Sequence, residues 1–103
     1  MVSIIYSTTG SQDESKRIAR ILVNEKLVAC VNIIADITSV YRWQGTVEED
    51  KESVLIAKTK DTLVDAALKR IQELHSYEVP DIVSFPLTKG LETYFSYVND
   101  ETL

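Results

Sequence analysis

An α+β fold with an antiparallel sheet is expected, on three observations. Two long extended runs, Val28 to Trp43 and onward to Lys60, flank a short Gln44-Gly45 turn and read as a β-hairpin. One stretch before the hairpin and one after it carry apolar residues at helical spacing. Short apolar runs at residues 2–7 and 82–87 have the length of buried or edge strands. With 103 residues, 45% of them hydrophobic, the chain has room for one core, so residues 1–103 are expected to form one domain.

The elements follow in order. Residues 2–7 (VSIIYS) fit a buried strand, and Thr8-Thr9-Gly10 a loop. Ser11 and Glu14 have capping-box spacing, so a helix begins near Gln12. Ile18, Leu22 and Leu27 give that helix a core-facing stripe to about Lys26. The first hairpin arm is unusually long. Sixteen residues from Val28 to Trp43 would reach ~53 Å, against a radius of gyration of ~13 Å for such a domain. The arm must therefore bend at a bulge or project. Strict alternation puts Ile33, Ile37 and Tyr41 on one face and Cys30, Ile34 and Val40 on the other. A projecting ribbon that exposes Val40, Tyr41 and Trp43 needs a cover, and the simplest cover is another copy of the chain.

Glu48-Glu49-Asp50-Lys51-Glu52 reads as a solvated strand segment or a bulge, after which Val54-Leu55-Ile56-Ala57 returns to the core. Asp61 is the expected N-cap of a second helix carrying Val64, Ala67, Leu68, Ile71 and Leu74. Pro80 pushes Val79 to extended geometry and closes that region. Ile82 to Leu87 is a last short strand, and Pro86 places it at a sheet edge. Lys89-Gly90 turns the chain into a closing helix with Leu91, Tyr94, Phe95 and Val98. The order β-α-β-β-α-β plus a helix is the ferredoxin-like arrangement, with helices on one sheet face and the other left open.

Charge and composition narrow the function. A net charge of −5 lacks the footprint of a nucleic-acid binder. No run of 18 apolar residues exists, and Met1-Val2-Ser3 leads straight into a strand, so neither membrane insertion nor a signal peptide is expected. The single cysteine, Cys30, rules out an internal disulfide and suits a reducing, cytoplasmic setting.

Several motifs together resemble one family. Glu25-Lys26-Leu27-Val28-Ala29-Cys30-Val31-Asn32 is similar to the "EKLAACVN" signature of the CutA (divalent-cation tolerance) family. Ser39-Val40-Tyr41-Arg42-Trp43-Gln44-Gly45 resembles its hairpin tip, and His75-Ser76-Tyr77-Glu78-Val79-Pro80 its "HPYE.P" segment. Glu49-Asp50 and Lys58-Thr59 match in order and spacing, so the resemblance covers essentially the whole chain. It implies a ferredoxin-like homotrimer linked to copper and other divalent metals, with no enzymatic reaction attached. This chain departs from the family pattern at four places. Ala35-Asp36 stands where many members have Pro-Gly, and Ser76 where the usual residue is Pro. Ser7 and Leu74 replace a cysteine and a histidine of some members, which removes two candidate ligands.

Candidate sites follow from the residues that remain. Copper needs soft or imidazole ligands, several at once, and this chain has one Cys, one His and one Met. A metal site would combine His75 with Glu78, Tyr77 or Cys30, across subunits if necessary. Each also has a plain structural role: Cys30 as a small core side chain, His75 as a cap on the end of the second helix. Glu49 and Asp50 could meet a hard cation but also suit solvent. Tyr41 and Trp43 suit packing at the trimer interface. Lys58, Tyr41 and Arg42 are the candidates for a cleft binding a small anion, although Lys58 also suits a salt bridge.

Three functions are compatible with these residues. The first is a non-enzymatic trimer binding Cu(II) or another divalent cation at inter-subunit clefts, with no metal needed for folding. The second is a trimeric small-ligand sensor or signalling scaffold in which metal is incidental. The third, an acylphosphatase-like enzyme, wants an arginine in a phosphate-cradling loop after the first strand, and Ser7-Thr8-Thr9-Gly10-Ser11 has none.

Overall fold

The computed structural model describes residues 1–103. Four strands, β1 (Val2–Thr9), β2 (Cys30–Trp43), β3 (Thr46–Lys60) and β4 (Ile82–Pro86), form one antiparallel sheet in the order β2-β3-β1-β4. Three helices, α1 (Gln12–Asn24), α2 (Val64–Leu74) and α3 (Glu92–Asp100), complete the fold. The expected element order is thus observed. Pro86 lies on the edge strand β4, as its missing N–H requires.

The helix ends show how local chemistry sets the boundaries. Ser11 Oγ accepts the Glu14 N–H at 3.1 Å and starts α1. α1 stops two residues before the expected Lys26, because Lys26 adopts φ 60°. Its N–H bonds Val23 O and the Leu27 N–H bonds Leu22 O, a Schellman closure made without glycine. Asp61 does not cap α2. A 3₁₀ turn, Asp61–Leu63, precedes that helix, and the Asp61 carboxylate instead accepts the Ser3 hydroxyl at 2.6 Å.

The main core lies between one sheet face and helices α1 and α2. Ile5, Leu55 and Ala57 of the sheet pack on Ile18, Leu22 and Ile71. The second face is not fully open, contrary to the helices-on-one-face expectation. Lys58 alternates with Ala57 and so points away from the main core, and α3 lays Tyr94 against it. Val2, Ala29 and Val98 form a small second cluster there. Beyond α3 the second face stays uncovered, with Ile34, Val83 and Phe85 each about half exposed.

The hairpin both bends and projects. Ile34 pairs with Val54 and Ile37 with Glu52, so Ala35 and Asp36 together oppose Ser53 in a β-bulge. Asp36 takes φ 59° at that point. Val54 and Glu52 are two residues apart and share a face, so Ile34 and Ile37 share it too. Strict alternation had separated them. The bulge reverses the alternation and turns Ile37, Ser39, Tyr41 and Trp43 toward the second face. Gln44 (φ 49°) and Gly45 (φ 82°) then make the two-residue turn with the positive φ values such hairpins use. The projecting tip stretches the molecule to 44 × 26 × 22 Å.

Candidate functional site

A cleft of about 680 Å³ lies on the second face, under the projecting arm. Tyr6, Tyr41, Trp43 and Tyr77 supply aromatic walls, and Glu52, Glu78 and Asp81 supply carboxylates. No lysine, arginine or histidine lines it. Three segments build it. β1 contributes Tyr6 and Thr8, the bulged hairpin contributes its turned face and Glu52, and the 77–81 segment closes the third side.

The 75–81 segment is held from below by a hydrogen-bond network built around one buried histidine. The His75 side chain is fully buried. Its Nδ1 accepts the Tyr77 N–H at 3.1 Å, so Nε2 carries the proton and donates to Thr8 O at 2.7 Å. The Glu14 carboxylate accepts the Gly10 N–H at 3.0 Å and the Ser76 N–H at 2.8 Å, and lies 3.7 Å from His75 Nδ1. Burial alone would raise the Glu14 carboxyl; hydrogen bonds from Ser76 and Gly10 outweigh it and hold the group below its usual range. Asp81 Oδ1 accepts both the Thr8 N–H and the Thr8 hydroxyl, at 3.2 and 2.6 Å.

Two phenols on the cleft side donate to carboxylates, Tyr77 to Glu52 and Tyr41 to Asp50. Burial, then the bond to Glu52, pushes the Tyr77 phenol well above its ordinary value. The bond to Asp50 pushes Tyr41 up to about 12. The acidic run is therefore not uniform solvent decoration. Glu48, Asp50 and Glu52 share the cleft face, while Glu49 and Lys51 point the other way, and Lys51 bonds Thr38 Oγ1 at 3.0 Å.

The sequence-expected metal ligands are not brought together within one chain. His75 has both ring nitrogens engaged, which leaves no free lone pair for a metal. Cys30 sits by α3, its Sγ 3.4 Å from the Tyr94 hydroxyl. Along β3 it pairs with Lys58, four residues from the Val54 that pairs with Thr8, about 13 Å at strand rise. Glu78 is exposed on the cleft rim. No three His, Cys, Asp or Glu side chains converge as a metal-binding group.

The expected anion cleft is dispersed as well. Lys58 lies by α3, bonded to Asn32 Oδ1 at 2.9 Å and 5.7 Å from the Tyr94 ring centre, rather than paired with a carboxylate. Arg42 bonds Gly45 O at 3.2 Å in the turn. Of that trio only Tyr41 lines the cleft. Sequence reasoning missed Glu14, Glu52 and Asp81 as members of this region. The capping-box spacing was the signal for Glu14, but it pointed to a helix end rather than to the Ser76 backbone.

The family model described as CutA1 divalent ion tolerance protein matches residues 3–101. The divalent-cation tolerance protein CutA of Thermus thermophilus is 39% identical over 102 residues, covering 99% of both chains. The chloroplastic protein CutA of Arabidopsis thaliana is 36% identical over 99 residues, but this chain spans only 54% of its length. The crystal structure of the divalent ion tolerance protein CutA1 from Ehrlichia chaffeensis superposes with a TM-score of 0.95 at 37% identity, covering 99% of this chain and 95% of that one. With this agreement in sequence along nearly its whole length and in fold, the chain belongs to the CutA1 divalent ion tolerance family.

Proposed function

We propose that the protein is a non-enzymatic, cytoplasmic homotrimer that binds divalent cations, copper(II) among them, at sites shared between subunits. One observation carries this reading: the second sheet face and the projecting hairpin are uncovered, while no metal-ligand set is complete within one chain. Ligands from neighbouring copies would complete such sites, with Glu78 as the carboxylate that a single chain leaves available. His75 and Cys30 would join only by releasing Thr8, Tyr77 and Tyr94. Family membership supports the divalent-cation link, and the single thiol suits a reducing compartment.

Calorimetric titration of chelator-stripped protein with Cu(II) and Zn(II) tests the metal reading. Saturable binding is expected, with a several-fold loss in Glu78→Gln while the oligomer persists. No saturable binding by wild type would sink the reading, and binding unaffected by Glu78→Gln, His75→Ala and Cys30→Ser alike would sink the ligand set. Sedimentation tests assembly. Tyr41→Ala combined with Trp43→Ala should shift the protein toward monomer; an unchanged sedimentation coefficient and melting point would rule out the hairpin tip as an interface.

A further inference from the structure

The projecting arm is tied to its own body at its root. Val40 to Lys51 are all exposed. The side-chain hydrogen bonds nearest the tip stay inside the hairpin: Tyr41 to Asp50, Arg42 to Gly45 O and Lys51 to Thr38. Two adjacent residues of β3 make the root. Ser53 stands opposite the bulge, and Glu52 pairs with Ile37, where regular pairing resumes. Neighbours along a strand point to opposite faces. Ser53 accordingly accepts the Ser15 hydroxyl of α1 on the core side, and Glu52 accepts the Tyr77 hydroxyl on the second face. Among the side-chain hydrogen bonds of residues 37–52, the one from Tyr77 to Glu52 leaves the hairpin. Tyr77 reaches it from a fixed base. Its N–H is bound by His75 Nδ1, and the two rings lie 4.7 Å apart, centre to centre. Leverage makes this point sensitive. The arm from Ile37 to Trp43 carries the tip ~23 Å past the root, so a swing of about 10° there moves Trp43 by ~4 Å, a full contact distance.

We infer that the Tyr77–Glu52 bond is an aiming brace: it fixes the direction of the hairpin in the single chain, so that Tyr41 and Trp43 meet a neighbouring copy already in place. The inference rests on the proposed role of the tip as a subunit interface. It needs no open surface, because brace and tip serve the same assembly. An unbraced arm visits other directions, and association slows by the fraction of chains aimed wrongly.

Trp43 is the only tryptophan, so its fluorescence follows the tip. The full chain is diluted from urea at several protein concentrations, and the concentration-dependent phase gives the association rate. Tyr77→Phe removes only the donor hydroxyl, and Glu52→Ala removes the acceptor. Each should slow association about fivefold and leave the concentration-independent folding phase as in wild type. Glu52→Gln keeps an oxygen that accepts the phenol and should restore most of the rate. Tyr77→Phe and Glu52→Ala combined should be no slower than either alone, because both remove the same bond. If one single variant fails to fold, the other decides together with Glu52→Gln. Unchanged association in the single variants, additive slowing in the double, or no rescue by glutamine would overturn the brace. A slowed folding phase would mark a merely structural tie and overturn it too. Each of those outcomes leaves the interface reading standing. A wild type without a concentration-dependent Trp43 phase would overturn both.

Discussion

At the residue scale, buried polar side chains do much of the positioning. His75 satisfies a strand carbonyl and a loop N–H at once, and its removal leaves both unpaired in a buried place. His75→Ala should therefore cost about 2–4 kcal/mol, read from the denaturant midpoint. A midpoint equal to wild type would show that the ring is not a structural tie. Glu14 makes a pH argument with a definite sign. Its carboxyl is depressed in the folded state, so its contribution is present above the unfolded value of 4.5 and is lost as pH falls through the lower folded value. Acid titration of stability should show this loss below about pH 4.5 in wild type and a flatter profile in Glu14→Gln. Tyr41 and Tyr94 run the other way. Each is raised from 10.0 to about 12, Tyr41 mainly by Asp50 and Tyr94 mainly by burial. Stability linked to these phenols is complete below pH 10 and is lost between about pH 10 and 12, and melts across that range should show less loss in Tyr94→Phe.

At the scale of elements, the bulge in β2 decides the character of the hairpin. A chain of buried hydroxyls backs it: Thr9 Oγ1 lies 2.6 Å from Ser15 Oγ, Ser15 donates to Ser53 at 3.0 Å, and Ser53 reaches Ile34 O at 3.3 Å. Ser53 is the residue opposite the bulge, so the start of α1 is tied to the point where β2 reverses. Ser53→Ala breaks that chain and should destabilise by about 1–2 kcal/mol. Asp36 holds a left-handed conformation that favours glycine. Asp36→Gly should therefore gain about 0.5–1 kcal/mol and Asp36→Val should lose stability. Equal thermal stability of the two variants would exclude backbone strain as the governing term. The departure from Pro-Gly at Ala35-Asp36 was visible in the sequence, yet its consequence for the later residues was not. A period-two pattern carries no record of one inserted residue.

At the scale of the molecule, the element order and the edge position of β4 were legible in the sequence, while the second apolar cluster around Val98 was not. The placement of α3 was not, because the apolar side chains Val98 and Phe95 show that a helix must pack without showing on which sheet face. The cleft was legible only in fragments. Tyr41, Trp43, Tyr77 and Glu78 stood out as motif residues, while Glu52 lay inside a charged run and Asp81 beside a proline. Those residues are far apart in the chain, and spacing cannot reveal which of them meet. Local chemistry by itself determined the strands, the helices and the Ser11 cap of α1, since these depend on neighbours within a few residues, whereas Asp61 was drawn away from its expected cap by Ser3, a distant residue. Tertiary structure alone decided that the bulge turns Tyr41 and Trp43 onto the uncovered face, and that His75, Cys30 and Lys58 fall at separate places. The physical reason is that sheet register and helix docking are set by the packing of the whole core, which no local segment encodes.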